Sequence, residues 1–274
     1  MRPNKSYKNL DFLNSPEARA IRILCEYEEP KRRFEEQGVT DTIVFFGSAR
    51  AKSAVDVRGD IAHLNRELAR TDINNGDELK AELEKAQRSL KLAEYYDKTR
   101  ELARRLTEWD MARMGTRRYY ICTGGGPGIM EAANRGAADV QGGRSVGLGI
   151  SLPFEEDLNP YITPELGFEF HYFFTRKYWF LYLCKAMVIC PGGFGTLDEL
   201  FETLTLRQTG KITKNIPTVL FGTDFWDKVI NMDSMLDWTT ISPKDLDLFL
   251  KTDSIDEAFE YLTSQILQDE ESSD

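Results

Sequence analysis

The chain has 274 residues, 41% hydrophobic and 29% charged, which is enough apolar material for a core and argues against global disorder. A formal charge of −10 argues against a broad nucleic-acid-binding face, so an anionic ligand would have to be met by local positive charge. No apolar run approaches the roughly 20 residues that span a bilayer. The start, Met1-Arg2-Pro3-Asn4-Lys5-Ser6-Tyr7, has no apolar signal core behind it, so the expectation is a cytoplasmic protein without a membrane partner.

Residues 1–14 are polar and read as loosely ordered. Ser15-Pro16-Glu17 reads as a helix start with proline in the first turn, and the helix is expected to run to about Arg33. Thr42-Ile43-Val44-Phe45-Phe46-Gly47-Ser48 is a continuous apolar run ending in Gly-Ser, the pattern of a parallel strand buried on both faces. Residues 51–118 change character. Leu79, Leu83, Ala86, Leu90, Ala93, Tyr95, Tyr96, Leu102, Ala103, Leu106 and Trp109 keep helical spacing, and Asn74-Asn75-Gly76-Asp77 breaks this helix from an earlier one. A partly projecting helical hairpin is expected there, as packing stripe and solvated face, with a dimer contact as the alternative.

Arg118 to Thr123 is the second strand, running into Gly124-Gly125-Gly126-Pro127-Gly128 and a helix from Ile129 to about Val140. Ser145–Ile150 is a third strand, Phe168–Phe174 is extended and aromatic, and Thr175–Leu183 reads as a mostly buried helix. Ala186–Cys190, Pro217–Phe221 and Leu246–Leu250 supply further strands, alternating with helices near Phe225–Met235 and Ser254–Leu267. Gln268–Asp274 reads as a frayed acidic tail. The alternation predicts an α/β fold: a Rossmann-like, doubly wound parallel sheet. The domain plan is an N-terminal extension and helix over 1–40, one domain over 41–268 with its helical insertion at about 51–118, and an acidic tail over 269–274.

Three strand ends carry small or glycine-rich turns: Gly47-Ser48, Gly124–Gly128 and Gly192–Gly195. In doubly wound sheets ligands bind outside the carboxyl ends of strands, so the three turns are expected to converge. Gly124–Gly128 alone says little. Its spacing is not G-x-G-x-x-G, and the chain has no G-x-x-x-x-G-K-[ST]. Pro191-Gly192-Gly193-Phe194-Gly195-Thr196-Leu197-Asp198-Glu199 says more. It joins a strand to a helix, and bare glycines let main-chain N–H groups reach an anion at the positive helix end. Thr196 is read as a helix cap that donates to a phosphate oxygen. Glu199 is placed about one turn into the helix, within reach of a ligand held by its phosphate. Thr175-Arg176-Lys177 sets two cations among Phe173, Phe174, Tyr178, Trp179 and Phe180, where a cation needs a ligand or partner. Arg176 is read as the ligand contact, and Lys177 as either a ligand or the partner of a nearby carboxylate.

The four cysteines, Cys25, Cys122, Cys184 and Cys190, lack C-x-x-C spacing and read as reduced thiols, three of them in apolar surroundings. With only His63 and His171 available, a histidine-rich metal site or a Ser-His-Asp triad has little to work with; His63 reads as solvated and His171 lies near the candidate site.

With Phe46-Gly47-Ser48, Gly124 to Glu131, Thr175-Arg176-Lys177 and Pro191–Glu199 taken together, the chain resembles the LOG family over roughly residues 40–250. These are the cytokinin-activating nucleoside 5′-monophosphate phosphoribohydrolases, long mislabelled as lysine decarboxylases. The resemblance implies hydrolysis of the bond between base and ribose 5-phosphate, with AMP or a cytokinin riboside monophosphate as substrate and no cofactor or metal. It implies Arg176 and Glu199 as the catalytic pair. The implied substrate-binding set is Ser48, Gly125, Gly126, Met130, Glu155, Lys177, Gly192, Gly193, Phe194, Gly195, Thr196 and Thr205. In that set Gly193 to Thr196 hold the 5′-phosphate with Thr205 beside it, and Glu156 is the alternative to Glu155. The chain departs from compact plant-type members at Glu131, where they carry Gly, and in its N-terminal helix and the insertion at 51–118; it looks like a longer bacterial branch, for which AMP or another purine monophosphate is the safer substrate. The competing class is a nucleotide- or molybdenum-cofactor-binding carrier without hydrolase activity. A pyridoxal-phosphate lysine decarboxylase would need a Schiff-base lysine, and none stands out. A homodimer or larger homo-oligomer is expected through the aromatic stretch 168–183 or the insertion.

Overall fold

The computed structural model describes residues 5–70, 76–114, 117–152 and 157–272. Its strands are β1 (Asp41–Phe46), β2 (Tyr119–Thr123), β3 (Ser145–Ile150), β4 (Gly167–Phe170), β5 (Cys184–Ile189), β6 (Thr218–Phe221) and β7 (Leu250–Thr252). They form one sheet in the order β4-β3-β2-β1-β5-β6-β7, and every neighbouring pair is parallel. The helices are α1 (Leu10–Leu13), α2 (Arg19–Gln37), α3 (Ala54–Leu68), α4 (Gly76–Ala112), α5 (Ile129–Ala138), α6 (Phe173–Leu183), α7 (Phe194–Gln208), α8 (Thr223–Val229), α9 (Met232–Asp237) and α10 (Ile255–Glu271). The sequence-based expectation of a Rossmann-like α/β fold holds.

Alternating strand residues build two cores. Val44, Phe46, Met187, Ile189 and Leu220 face one side with Phe34, Trp179, Phe180 and Leu200 from α2, α6 and α7. Ile43, Phe45, Val188, Val219 and Phe221 face the other, against α4, α5 and α10. Burial on both faces is why these strands read as unbroken apolar runs.

The chain steps outward from β1 through β4 along one half of the sheet, then returns to β5 beside β1 and proceeds to β7 along the other half. The order therefore reverses between β1 and β5, and their carboxyl ends frame the crevice where such sheets bind ligands.

Several elements differ from the sequence expectation. Helix α2 contains the buried Pro30, continues four residues past Arg33, and stops where Gly38 adopts φ 67°. There Gly38 N–H donates to Glu35 O and Val39 N–H to Phe34 O, a glycine C-cap that Phe34 and Val39 cover with apolar contact. The presumed insertion does not merely project. Tyr96, Leu102, Ala103 and Leu106 of α4 lie in the core, whereas residues 77–92 contain no buried position. The strand expected at 246–250 is a short 3-10 turn, Pro243–Leu248, started by a reciprocal cap between Ser242 and Asp245; the strand follows it. The single helix expected at 225–235 is two, because Asn231 breaks α8 and caps α9 through the Ser234 N–H at 2.9 Å. The acidic tail is helical through Glu271. It is tied down by Lys185–Asp269 at 3.2 Å and by Glu270, which pairs with Arg113 and accepts from the Tyr119 hydroxyl. No helix among the described residues is long and apolar enough to cross a membrane.

Candidate functional site

The three turns at the carboxyl ends of β1, β2 and β5 are stitched together through Ser48. Its N–H donates to Pro191 O at 2.9 Å, and its carbonyl accepts from Ile129 N–H at 3.0 Å. Its hydroxyl accepts from Arg50 N–H at 3.1 Å, which leaves the hydroxyl proton to donate elsewhere. Gly47 admits this contact: a side chain there would lie 2.5 Å from Cγ2 of Ile129.

The turn after β2 is held by a buried polar network that the sequence reading missed. Asn159 Nδ2 donates to the carbonyls of Gly125 and Gly126 and to Asn134 Oδ1, at 3.0, 3.1 and 2.9 Å. Thr123 Oγ1 donates to the same Asn134 oxygen and accepts from Gly125 N–H at 2.9 Å. All three side chains are buried. The available signal was polarity out of place: Asn134 falls on the apolar face of α5, beside Ala133 and Ala137.

Helix α6 brings Arg176 beneath this turn. Its Nε donates to Leu148 O of β3 at 2.7 Å, and its guanidinium lies 5.1 Å from the Phe180 ring centre. The guanidinium occupies the space a Gly124 side chain would need, with Met130 Sδ against the same point; Met130 Cε likewise crowds Gly126. Gly124, Gly126, Met130 and Arg176 thus form one wall.

Helix α7 begins at Phe194, immediately after Gly193. Thr196 is therefore not the cap but lies buried in the first turn, folded back against Gly192, where a side chain would collide with it. Gly193 and Gly195 differ: a side chain at either would meet nothing within 4 Å. Packing does not require glycine there. Its effect is to leave the amides of the first helical turn bare, and these have no intrahelical partners. Phe194, between them, is 92% exposed.

Glu199, one turn further, is 6% exposed. Burial pushes its carboxyl up to about 7, although Lys177 and Arg176 nearby favour the charged form. Lys177 lies 2.9 Å from Asp198 and 2.8 Å from Glu202, so the carboxylate-partner reading of Lys177 describes its contacts. Burial works to lower its ammonium, but the hydrogen bonds to Glu202 and Asp198 outweigh it and the net shift is upward.

A cavity of about 590 Å³ opens in the crevice. Ser48, Pro191 and Gly192 form its floor, with Leu92 and Tyr95 of α4 and Phe225 and Val229 of α8 as walls; Arg176 and Glu199 do not line it. The role of α4 as a wall was not foreseen. Thr205 is exposed, nine residues beyond Thr196 and about 13 Å along the helix axis, where it lines a surface hollow with Phe194 and Lys177. Glu155 and Glu156 lie outside the described residues. His63 is exposed, near Glu67; His171 is also exposed, its ring edge-on to Tyr172. Cys122, Cys184 and Cys190 are buried free thiols, and Cys25 is exposed. Helix α6 is less buried than expected: Phe173, Phe174 and Tyr182 are exposed, because only the face carrying Thr175, Trp179 and Phe180 packs inward.

Comparison with known families gives a match over residues 130–262 to a family described as "Possible lysine decarboxylase". The matched segment contains Arg176, Lys177 and Pro191–Glu199 and begins after Gly124–Gly128. No curated protein matches the chain.

Proposed function

We propose that the chain, whose residues 130–262 match the LOG-family domain that carries that decarboxylase description, is a phosphoribohydrolase acting on purine nucleoside 5′-monophosphates, releasing free base and ribose 5-phosphate. One observation carries the reading: a buried carboxyl, Glu199, stands one turn from a bare-glycine helix start and near Arg176, at the carboxyl edge of the sheet. The helix start suits the phosphate, and the carboxyl and guanidinium suit the sugar–base linkage.

The chemistry balances without a further reactant. The N-glycosidic bond breaks with its electron pair leaving on the base, water adds to the anomeric carbon, and the proton lost by water ends on the base. Ionised Glu199 stabilises the oxocarbenium-like sugar or accepts the water proton. Arg176 offsets negative charge growing on the purine; a guanidinium is too weak an acid to be the proton donor. Phosphate held by the amides of 194–196 and by the Ser48 hydroxyl supplies binding energy remote from the broken bond. AMP is the proposed assay substrate, and we also propose a homo-oligomer formed through the exposed aromatics of α6.

A second reading, nucleotide binding without hydrolysis, is favoured by the cavity, which touches Ser48 and Gly192 but not Arg176 or Glu199. The decarboxylase reading fares worse. A Schiff-base lysine must be neutral, whereas Lys177 is held protonated between two carboxylates. The test is incubation with AMP, with chromatography of adenine and ribose 5-phosphate. Equimolar release supports the hydrolase; bound but intact AMP supports the binding module; carbon dioxide from lysine would overturn both.

A further inference from the structure

We infer that Glu26, on the N-terminal helix α2, is a positioning residue for Arg176, and that the N-terminal extension is thereby part of the working site. This rests on the phosphoribohydrolase reading. Helix α6 starts without a cap of its own. Its N-terminal flank, His171-Tyr172, has no short polar side chain, and Tyr172 makes no side-chain capping bond. The amides that lead into the helix, those of His171 and Tyr172, need acceptors too.

The acceptor comes from 145 residues away. Glu26 Oε1 accepts from His171 N–H at 2.8 Å, and Oε2 accepts from Tyr172 N–H at 3.3 Å. The Thr175 hydroxyl lies 2.5 Å from the same Oε2. The main-chain carbonyl of Glu26 accepts from Trp179 Nε1–H at 3.0 Å, one turn further along α6. A carboxylate at this end also complements the helix dipole. Glu26 therefore grips α6 at its flank, its first turn and its second.

Arg176 and Lys177 follow Thr175 directly. The Arg176 N–H donates to Tyr172 O at 3.3 Å, its side chain reaches Leu148 O, and its guanidinium sits where Gly124 leaves room. That fit tolerates little movement. A shift of the first turn of α6 moves the guanidinium relative to Glu199, while the amides of α7 stay in place. Misplacement of a reacting group by about 1 Å costs up to roughly a hundredfold in rate. The signature of Glu26 is thus loss of turnover with nucleotide affinity kept.

The experiment compares full-length wild type, Glu26→Ala and Glu26→Gln. It measures kcat and KM for AMP, and hydrogen exchange of the amides of 171–176 and of α7. Glu26→Ala is expected to lower kcat roughly tenfold to a hundredfold, with KM within about threefold of wild type. Exchange should speed up at 171–176 and not in α7. Glu26→Gln keeps an acceptor oxygen and should recover most of the turnover. Unchanged kcat and unchanged exchange would overturn the inference. So would faster exchange throughout α7 and the sheet, with kcat falling only as the folded fraction falls, because Glu26 would then be a general stabiliser. If wild type hydrolyses no nucleotide monophosphate, the functional reading fails by itself, and exchange at 171–176 alone decides whether Glu26 holds α6.

Discussion

Glu199→Gln separates what the buried carboxyl does for stability from what it does for chemistry. Glu199 is 6% exposed, and burial raises its carboxyl from 4.5 to about 7. A carboxyl whose folded value lies above its unfolded value binds protons more tightly when folded. Its contribution is then fully present below pH 4.5 and is lost as pH rises through 7. Linkage with these two values makes the loss about 1 kcal/mol at pH 5 and about 3 kcal/mol at pH 8. Glutamine keeps the shape and does not titrate, so the variant should gain about 2 kcal/mol on wild type between pH 5 and pH 8. For a chain of this size that is roughly 5 °C in the unfolding midpoint. The assay is thermal unfolding of both proteins across that range; taking their difference cancels every other titrating group. A difference that stays flat from pH 5 to pH 8, or that favours wild type at high pH, would refute the burial argument. The same substitution should abolish AMP hydrolysis while AMP still binds in calorimetry. A variant both more stable and inactive is the expected outcome where a site holds a charge its surroundings disfavour.

Arg176→Lys should lower kcat/KM at least tenfold, because a lysine presents no planar fork to a base and leaves the Leu148 carbonyl without its Nε donor. Wild-type kinetics would remove Arg176 from the site. Gly193→Ala and Gly192→Ala should part company. The first meets nothing within 4 Å, so the unfolding midpoint should hold while KM for AMP rises; the second collides with Thr196 and should cost about 1–3 kcal/mol in denaturant unfolding. Equal behaviour of the two would contradict the view of residues 193–195 as a bare anion seat. Asn159→Leu should destabilise by about 1–3 kcal/mol, because it removes the side-chain donor to the Gly126 carbonyl and to Asn134 Oδ1, while Gly125 O keeps the residue 159 main-chain N–H. A neutral result in urea unfolding would show that the turn keeps its shape without the network.

Period and composition carried much of the architecture. The apolar runs Ile43–Phe46, Ala186–Cys190 and Thr218–Phe221 are strands because double-sided burial needs unbroken apolar sequence, and that is a local property. Loop chemistry was legible for the same reason. A glycine run between strand and helix marks a close approach whatever the rest of the chain does, so Gly124–Gly128 and Pro191–Gly195 stood out. Element ends were less legible where a distant group supplies the cap. Helix α6 starts at Phe173 because Glu26 satisfies its flank, and no residue near 173 announces it.

Local pattern along the chain was enough to specify a parallel α/β sheet and the residue types at its carboxyl edge. Which of those residues meet was settled by packing across the fold. Strand order set β1 beside β5 and so brought Ser48 to Pro191; the packing of α4 turned a presumed insertion into a cavity wall; and Asn159 reached back 34 residues to hold Gly125. Hydrophobic period and turn chemistry are written in neighbouring residues, whereas caps, buried amide networks and charge partners are satisfied across the fold, where any suitably placed donor or acceptor will serve.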